Sequence, residues 1–517
     1  MKLNLPALNA PQTSRADNPR AGLIARLDWQ TILTGVALWL SFAVLLAVIQ
    51  FASPNLAGND DYFHIRFAQV MREQGLRPPF PWLPLTILNE ADYYDHHFLY
   101  HVLLVPFTFG NILTGAKIAG VIYPATAFFM GWVLLRGQKA PYAALWALGI
   151  FAVSEAFLDR MVMIRVQSVS LLMLLLILHV LLRGRHRWLL PLAFIYTWLY
   201  DAFPILLTII GIYVVMRWLL DSRFDLWPLL YTVLGVMLGL VINPYFPNDI
   251  TFIYKHIVAK LFDITDADIH VGNEWYPYET WTIVENSGLA LLAFAAGTFG
   301  LGFRRERMDI PAAVLWGVAI LFGLLLFKSR RFVEYFPAFA LMFCAVAWQP
   351  LMTDWLKRYA IVAFILPATM IVILAPAIWF NVQEAREGLI DSTPYQRFGQ
   401  ASAWLKANTP PGSRVFNTDW DDFTWLFFHN TQNTYMHGLD PTYMYEYNPD
   451  LYWLWRSITR GEVENPGQII YNTFGASYVI TDLNHDRFLG MARADPTMRE
   501  VYRDDYAAIF VVTGAVG

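Results

Sequence analysis

Between Thr31 and Phe380 the chain repeats apolar runs of about 18 to 23 residues, each long enough to cross a hydrocarbon core of roughly 30 Å as a helix. This pattern leaves few folds open. In lipid every backbone N–H and C=O must be satisfied within its own segment or in a closed barrel, and continuous apolar runs of this length satisfy them as helices. About eleven spans are predicted, near 31–53, 114–135, 141–157, 166–182, 188–202, 204–220, 227–243, 287–303, 309–327, 332–349 and 359–380. The fold class expected is a polytopic α-helical membrane protein with a C-terminal, non-cytoplasmic α/β domain.

Only 15% of the residues are charged, against about 25% in an ordinary soluble domain. After Asn381 the apolar pattern stops. The tail holds 17 acidic and 10 basic residues, a net −7 in a chain whose total is −4. Neither part is basic enough to suggest nucleic acid. The single cysteine, Cys344, lies in an apolar run and has no partner for an internal disulfide. Residues 1–30 are polar and carry no cleavable export signal, so they are expected as a cytoplasmic segment. The division expected is 1–30, a membrane domain over 31–380, and a soluble α/β domain over 381–517.

Short loops alternating onto one side carry Arg136 and Lys139, then Arg183, Arg185 and Arg187, Arg217 and Arg223, Arg304, Arg305 and Arg307, and Lys357 and Arg358. Lys2, Arg15, Arg20 and Arg26 fall on that side too. The positive-inside rule makes it cytoplasmic, so the expected setting is a bacterial inner (plasma) membrane with the C-terminal domain periplasmic or extracellular. The opposite side has two long connections, 54–113 and 244–286, mixing Trp, Tyr and Pro with ionisable residues. Tyr62 to Gln74 and Phe98 to Phe109 read as amphipathic helices at the interface. In the tail, strands are expected at Arg414 to Asn417, Thr434 to His437, Ser477 to Thr481 and Ala507 to Thr513, with a helix at Gln396 to Asn408.

Long external loops that gather ionisable residues are where a site belongs. Just past the first span stands Asn59-Asp60-Asp61-Tyr62-Phe63-His64-Ile65-Arg66. Adjacent carboxylates at a membrane surface are costly unless a cation or a substrate compensates them; the plainer alternative is a solvated loop with Asp61 as a helix N-cap. The second connection holds Val271-Gly272-Asn273-Glu274-Trp275-Tyr276-Pro277, which an interfacial aromatic belt would also explain. Ser329-Arg330-Arg331-Phe332 opens a later span, where Arg can hold phosphate or merely snorkel.

Asp60-x-Tyr62-Phe63-x-x-Arg66 resembles the opening signature of the oligosaccharyltransferase catalytic subunit, in the C-type glycosyltransferase superfamily of membrane enzymes that use lipid-phosphate-linked sugars. The resemblance implies that Asp60 lies at the centre of the active site, helping to hold a divalent metal (Mg or Mn) and touching the acceptor. It implies a similar place for Glu274, with Arg331, and secondarily Arg330, on the lipid-linked phosphate. Trp420 and Asp421 of Asp419-Trp420-Asp421-Asp422-Phe423 match the family's Trp-Trp-Asp-Tyr-Gly acceptor motif at two positions of five. Gly475 to Ile480 and Val501 to Tyr506 resemble closing strands of the family's soluble core.

One departure stands out. Where the family carries a second acidic motif, this chain reads Asp159-Arg160-Met161-Val162-Met163-Ile164-Arg165-Val166-Gln167-Ser168. Arg160 matches a family Arg, but Gln167 and Val169 fall where the acids belong, and Arg165 adds a cation. A hard divalent ion wants several oxygen ligands, so a family-type metal site is in doubt. Asp95, His96 and His97, with His101 a turn beyond, offer a substitute metal set, a base near the acceptor, or a polar cluster with no ligand.

The residues therefore expected at the site are Asp60 and Glu274 as catalytic groups. Arg66, Arg160, Arg165, Arg330, Arg331, Trp420 and Asp421 are expected on substrate, and Asp60, Glu274, Asp95, His96 and His97 are candidates for any metal. The expected partners are a lipid-linked sugar donor, membrane lipid, and a glycan, glycolipid or protein acceptor. The reaction expected is inverting sugar transfer at the outer side of the membrane. Protein N-glycosylation is the nearer alternative, and a transporter or lipid flippase the farther one; against the latter, mid-span positions carry few ionisable residues and no helix repeat is visible.

Overall fold

The computed structural model describes residues 29–258, 269, 271–304 and 308–513. Lys2, Arg15, Arg20, Arg26, Arg305 and Arg307 of the basic side lie outside the described residues. Among those described, seven helices are long and apolar enough to cross a membrane: Trp29–Gln50, Ile112–Gly137, Phe203–Asp221, Thr280–Gly302, Ile310–Lys328, Phe336–Arg358 and Val362–Ile390. Glu155–Val162 and Gln167–Leu182 together pass the same test but are bent by 107° at a short break. The protein is an integral membrane protein of mostly helical architecture.

The other expected spans are shorter or interrupted among the described residues. The stretch at 141–157 is cut into Ala143–Leu148, a 3-10 turn and the start of Glu155–Val162. Those at 188–202 and 227–243 shorten to Leu189–Leu199 and Trp227–Val241. The cause is local. Ser154 caps the helix that follows it, its hydroxyl accepting the Phe157 N–H at 3.1 Å, and such a cap ends whatever precedes it. Apolar composition reports what is buried, not whether the backbone is continuous. Phe42, Phe128 and Phe151 meet here, with ring centroids 5.2 to 6.0 Å apart.

The helix Asn59–Gln74 starts after Gly58, with Asp60 and Asp61 in its first turn, where carboxylates complement the helix dipole. Asp61 is its third residue and reaches back, Oδ2 accepting the Gly58 N–H at 3.0 Å, so the N-cap is Gly58 and not Asp61, as the plainer alternative had it. Nor does this helix lie open along an interface. Tyr62, Phe63, Ile65, Phe67 and Met71 are buried, because the helix is clamped under Phe423–His429 of the C-terminal region. The Tyr62 and Trp425 rings stand 5.6 Å apart and those of Phe63 and Phe427 5.3 Å apart. This clamp fixes where Asp60 points.

The C-terminal region carries one mixed five-stranded sheet. Its strands are β1 (Arg414–Asn417), β2 (Thr434–Tyr435), β3 (Tyr478–Asp482), β4 (Met498–Arg503) and β5 (Ala507–Val512), in the order β2-β1-β3-β5-β4. The β1–β2 and β1–β3 pairs are parallel, and β3–β5 and β4–β5 are antiparallel. Four strands fall where Val, Ile, Tyr and Phe predict them. β4, with its polar Arg499, Glu500 and Arg503, only overlaps the expected Val501 to Tyr506. The expected helix at Gln396 to Asn408 is Gly399–Asn408.

Burial pushes the Asp61 carboxyl up from 3.8 to about 7, against the opposing backbone N–H groups of Gly58 and Ile164 and the Arg165 charge. The folded state therefore holds the proton more tightly than the unfolded one, and stability should fall as pH rises from about 4 to 7. Asp61→Asn keeps the acceptor for Gly58 and should flatten that fall. Asp61→Ala should instead cost about 1 kcal/mol, the usual loss for a helix-start acceptor. Thermal unfolding of the purified protein across this pH range checks both.

Candidate active site

Arg160 occupies the last turn of Glu155–Val162, and Arg165 lies in the four-residue break before Gln167–Leu182. The 107° bend brings both guanidiniums to one place. Glu274 arrives from a different segment, the single 3-10 turn Asn273–Trp275. That turn is pinned from below: Ser329 Oγ donates to the Glu274 carbonyl at 2.7 Å, and the Arg330 N–H to the Tyr276 carbonyl at 3.0 Å. Arg331 and Glu334 share the 3-10 helix Arg330–Glu334, where residues three apart eclipse one another.

The side chains meet around Glu274. Its Oε2 accepts from Arg160 Nη2 at 2.8 Å and from Arg165 Nη1 at 3.0 Å, while Arg331 Nη1 stands 3.5 Å from Oε1. Arg165 also donates to Asp60 Oδ2, and Arg160 to Glu334 Oε1 from Nε at 2.7 Å. Arg331 Nη2 donates to the Tyr200 hydroxyl at 3.1 Å, and its guanidinium lies 4.9 Å above the Trp275 ring. Three guanidiniums thus interleave with three carboxylates. Charges removed from water are tolerated when paired in this way. Burial alone would raise the Glu274 carboxyl, but Arg331, Arg165 and Arg160 outweigh it and hold Glu274 well below the usual carboxylate range. Asp60 is the most open of the acids, its side chain 32% exposed against 1% for Glu334. Two polar atoms, Arg165 Nε and Glu334 Oε2, are buried with no hydrogen-bond partner among the described residues.

Of the expected residues, Asp60, Glu274, Arg160, Arg165 and Arg331 come together, whereas Arg66, Arg330 and Asp421, and the metal candidates Asp95, His96 and His97, do not. Arg66 turns along its own helix to Gln69, at 2.7 Å. Arg330 donates to the Pro277 carbonyl at 3.2 Å and lies over the Tyr278 ring, away from Glu274. Asp421 belongs with Asp419, Asp422, Arg397 and Asp482 in the C-terminal region. Trp420 is intermediate, its ring 3.9 Å from where a Gly272 Cβ would stand, beside the turn that bears Glu274. Composition alone missed Glu334 and Tyr200. Each had a signal: an acid three residues after Arg331 at the mouth of an apolar run, and a Tyr-Asp pair interrupting another.

The histidines form a separate group. Both Asp95 carboxylate oxygens lie 2.8 to 2.9 Å from His101 Nδ1, and His101 Nε2 lies 2.8 Å from His64 Nδ1. His96 stacks on Phe252 and His97 on Tyr200, with centroids 5.1 and 5.6 Å apart.

A divalent metal, which the family resemblance implies, does not fit these donors. Asp60 and Glu274 are bridged by Arg165, Gln167 and Val169 supply no carboxylate, and Asp95, His96 and His97 face different partners. Among the described residues no group of three or more His, Cys, Asp or Glu side chains is arranged to hold a metal ion. A hard cation would need several such oxygens.

No protein-family model matches the chain, and no curated protein matches it by sequence. Solved structures do match its fold. An oligosaccharyltransferase from Archaeoglobus fulgidus in its apo form aligns at a TM-score of 0.65 with 14% identity, over 90% of this chain and 71% of its own. ArnT from Cupriavidus metallidurans, also apo, aligns at 0.57 with 13% identity, over 92% and 97% of the two chains. The mycobacterial arabinofuranosyltransferase AftD aligns at 0.54 with 14% identity, over 92% of this chain and 41% of its own. The archaeal protein has also been solved with an inhibitory peptide and a dolichol-phosphate, and ArnT with undecaprenyl phosphate. The chain has the fold of the C-type glycosyltransferases.

Glu274→Gln should expose the cost of this arrangement, because it leaves three guanidiniums facing an uncharged amide. A loss near the lower end of the ~3–5 kcal/mol typical of broken buried pairs is expected at neutral pH. Glu274 is held low in the folded state, so its contribution is present above the ordinary glutamate range and lost only as pH falls well below 4.5. The melting-temperature gap between wild type and Glu274→Gln should therefore be full at pH 7 and close only in strong acid.

Proposed function

We propose that this protein is a membrane glycosyltransferase that moves a sugar from a polyprenyl-phosphate-linked donor to an acceptor on the non-cytoplasmic side, by a single inverting displacement. The observation that carries this reading is the convergence of Asp60 and Arg331, remote in sequence, on one cluster around Glu274. The lipid phosphates bound by the archaeal enzyme and by ArnT support a donor of that class. The basic loops at the other ends of the helices support the orientation.

Each charged group has work to do in such a reaction. Arg331 stands 3.5 Å from Glu274, the longest of the three contacts, and its planar fork suits phosphate oxygens. Negative charge grows on the leaving phosphate as the bond to the anomeric carbon breaks. Fixed cations aimed at that charge lower the barrier without reorganisation, and Arg165 with its unused Nε adds a second. Glu274 acts as the hub that keeps Arg160, Arg165 and Arg331 from repelling one another apart. Asp60, open on one side, orients the acceptor. Trp420 beside Gly272 also lines a cavity of about 700 Å³ with Asp419, Tyr452 and Arg456, suited to the more distant part of a glycan, glycolipid or protein acceptor.

The chemistry proposed is independent of divalent metal, Arg165 standing between Asp60 and Glu274 where a cation would otherwise bridge them. This favours decoration of a glycan, glycolipid or protein by metal-independent chemistry over protein N-glycosylation, since the second acidic motif is missing and Asp421 turns elsewhere. With polyprenyl-phosphate-linked pentoses and hexoses as donors, Asp60→Asn should lower turnover by about 10²-fold through lost orientation of the acceptor. Arg331→Ala should lower it by about 10²–10³-fold, and a chelator should leave the wild-type rate within about twofold. Wild-type transfer by Asp60→Asn, or abolition by the chelator with recovery on adding Mg or Mn, would contradict this reading.

A further inference from the structure

His64 lies one helical turn beyond Asp60 in Asn59–Gln74, and residues four apart share a helix face. Behind it runs a hydrogen-bonded chain. His64 Nδ1 meets His101 Nε2 at 2.8 Å, and His101 Nδ1 meets both Asp95 oxygens at 2.8 and 2.9 Å. Asp95 is held in place by the His97 N–H, which donates to Oδ1 at 3.0 Å. Asp95 and His101 are almost inaccessible, at 2% and 1% exposed, whereas His64 keeps 6%.

The direction of this chain follows from its closed end. Both Asp95 oxygens face His101 Nδ1, and with Asp95 accepting there His101 Nδ1 carries the hydrogen. His101 Nε2 is then a lone pair and accepts from His64 Nδ1–H, which leaves His64 Nε2 unprotonated. The opposite tautomer would set two acceptors against each other at Asp95. Burial, with the neighbouring His101, Arg165 and His96, keeps His64 well below the ordinary histidine range and hence neutral. His64 also joins the wall that holds the phosphate-binding cation. It meets His97 edge-on at 5.3 Å, His97 stacks on Tyr200 at 5.6 Å, and Tyr200 accepts from Arg331. Asp60 and Glu274, the more exposed carboxylates of the cluster, are both engaged by Arg165.

We propose that Asp95, His101 and His64 form a proton relay in which His64 Nε2 is the general base and the acceptor it serves is a hydroxyl. This rests on the transferase reading and specifies its acceptor class. The hydroxyl oxygen bonds to the anomeric carbon as the bond from that carbon to the phosphate oxygen breaks, and the bonding pair leaves with the lipid phosphate. The hydroxyl proton passes to His64 Nε2, the positive charge is stabilised through His101 by Asp95, and the proton is then returned to the departing phosphate. His64 is the catalytic residue; His101 and Asp95 position it and hold its tautomer.

The test uses the full chain with polyprenyl-phosphate-linked pentoses and hexoses as donors and alkyl glycosides as hydroxyl acceptors. It compares wild type with His64→Gln, His64→Gly with and without added imidazole, and Asp95→Asn. Polyprenyl phosphate binding and melting temperature are read alongside turnover. His64→Gln should lose about 10²-fold or more in kcat, with lipid-phosphate affinity within about twofold of wild type. Imidazole should restore His64→Gly at least about tenfold, and Asp95→Asn should lower kcat without weakening donor binding. Undiminished transfer by His64→Gln overturns the relay. So does loss that imidazole cannot restore, or loss accompanied by failed donor binding and a lowered melting temperature, because each marks His64 as structural. Wild type that transfers nothing from any of these donors removes the transferase reading itself and the relay with it, an outcome told apart by where activity fails.

Discussion

One carboxylate gathers the working end of this molecule. Glu274 is reached by guanidiniums from the helix end at Arg160, the break at Arg165 and the 3-10 turn at Arg331. Without it these cations would repel one another in a place where water screens them poorly. With it, three segments far apart in sequence are tied at one end of an apolar bundle. The broken helix, the pinned turn at Asn273–Trp275 and the clamp on Asn59–Gln74 all serve to bring charged groups to that point.

The arrangement also determines what kind of chemistry is open to it. A cluster whose carboxylates are already bridged by arginine has little oxygen left over for a divalent ion, yet it keeps positive charge where a phosphate would arrive. Arg331 holds the loosest of the three contacts to Glu274 and is the one that stacks on an aromatic ring, so it can exchange partners at the smallest cost. Arg160, tied to both Glu274 and the buried Glu334, is structural by comparison.

Much of this was legible in the sequence, and the remainder was hidden for physical reasons. Apolar runs reveal a membrane protein because lipid enforces them, but they do not show where a helix breaks: a Ser cap at 154 and a break at 163–166 interrupt helices without changing hydropathy. The β-branched and aromatic runs gave four strands, whereas β4 is polar on its exposed side. Asp60, Glu274 and Arg331 could be found because a charge inside an apolar neighbourhood needs a reason. Arg330 could not be separated from Arg331, since adjacent residues on a tight helix point about a third of a turn apart and only the backbone decides which faces Glu274. His64 carried no signal beside Asp60 and Asp61, because its partners Asp95 and His101 lie well down the same 54–113 connection and no helical spacing links them to it.

The most direct measurement is a structure of the protein with polyprenyl phosphate bound. The account predicts the phosphate within hydrogen-bond reach of Arg331, that guanidinium turned from Glu274, Asp60 on the side where a sugar would extend, and the lipid lying along the spanning helices. A phosphate bound at the opposite end of the bundle, or one in contact with neither Arg331 nor Arg165, would contradict it.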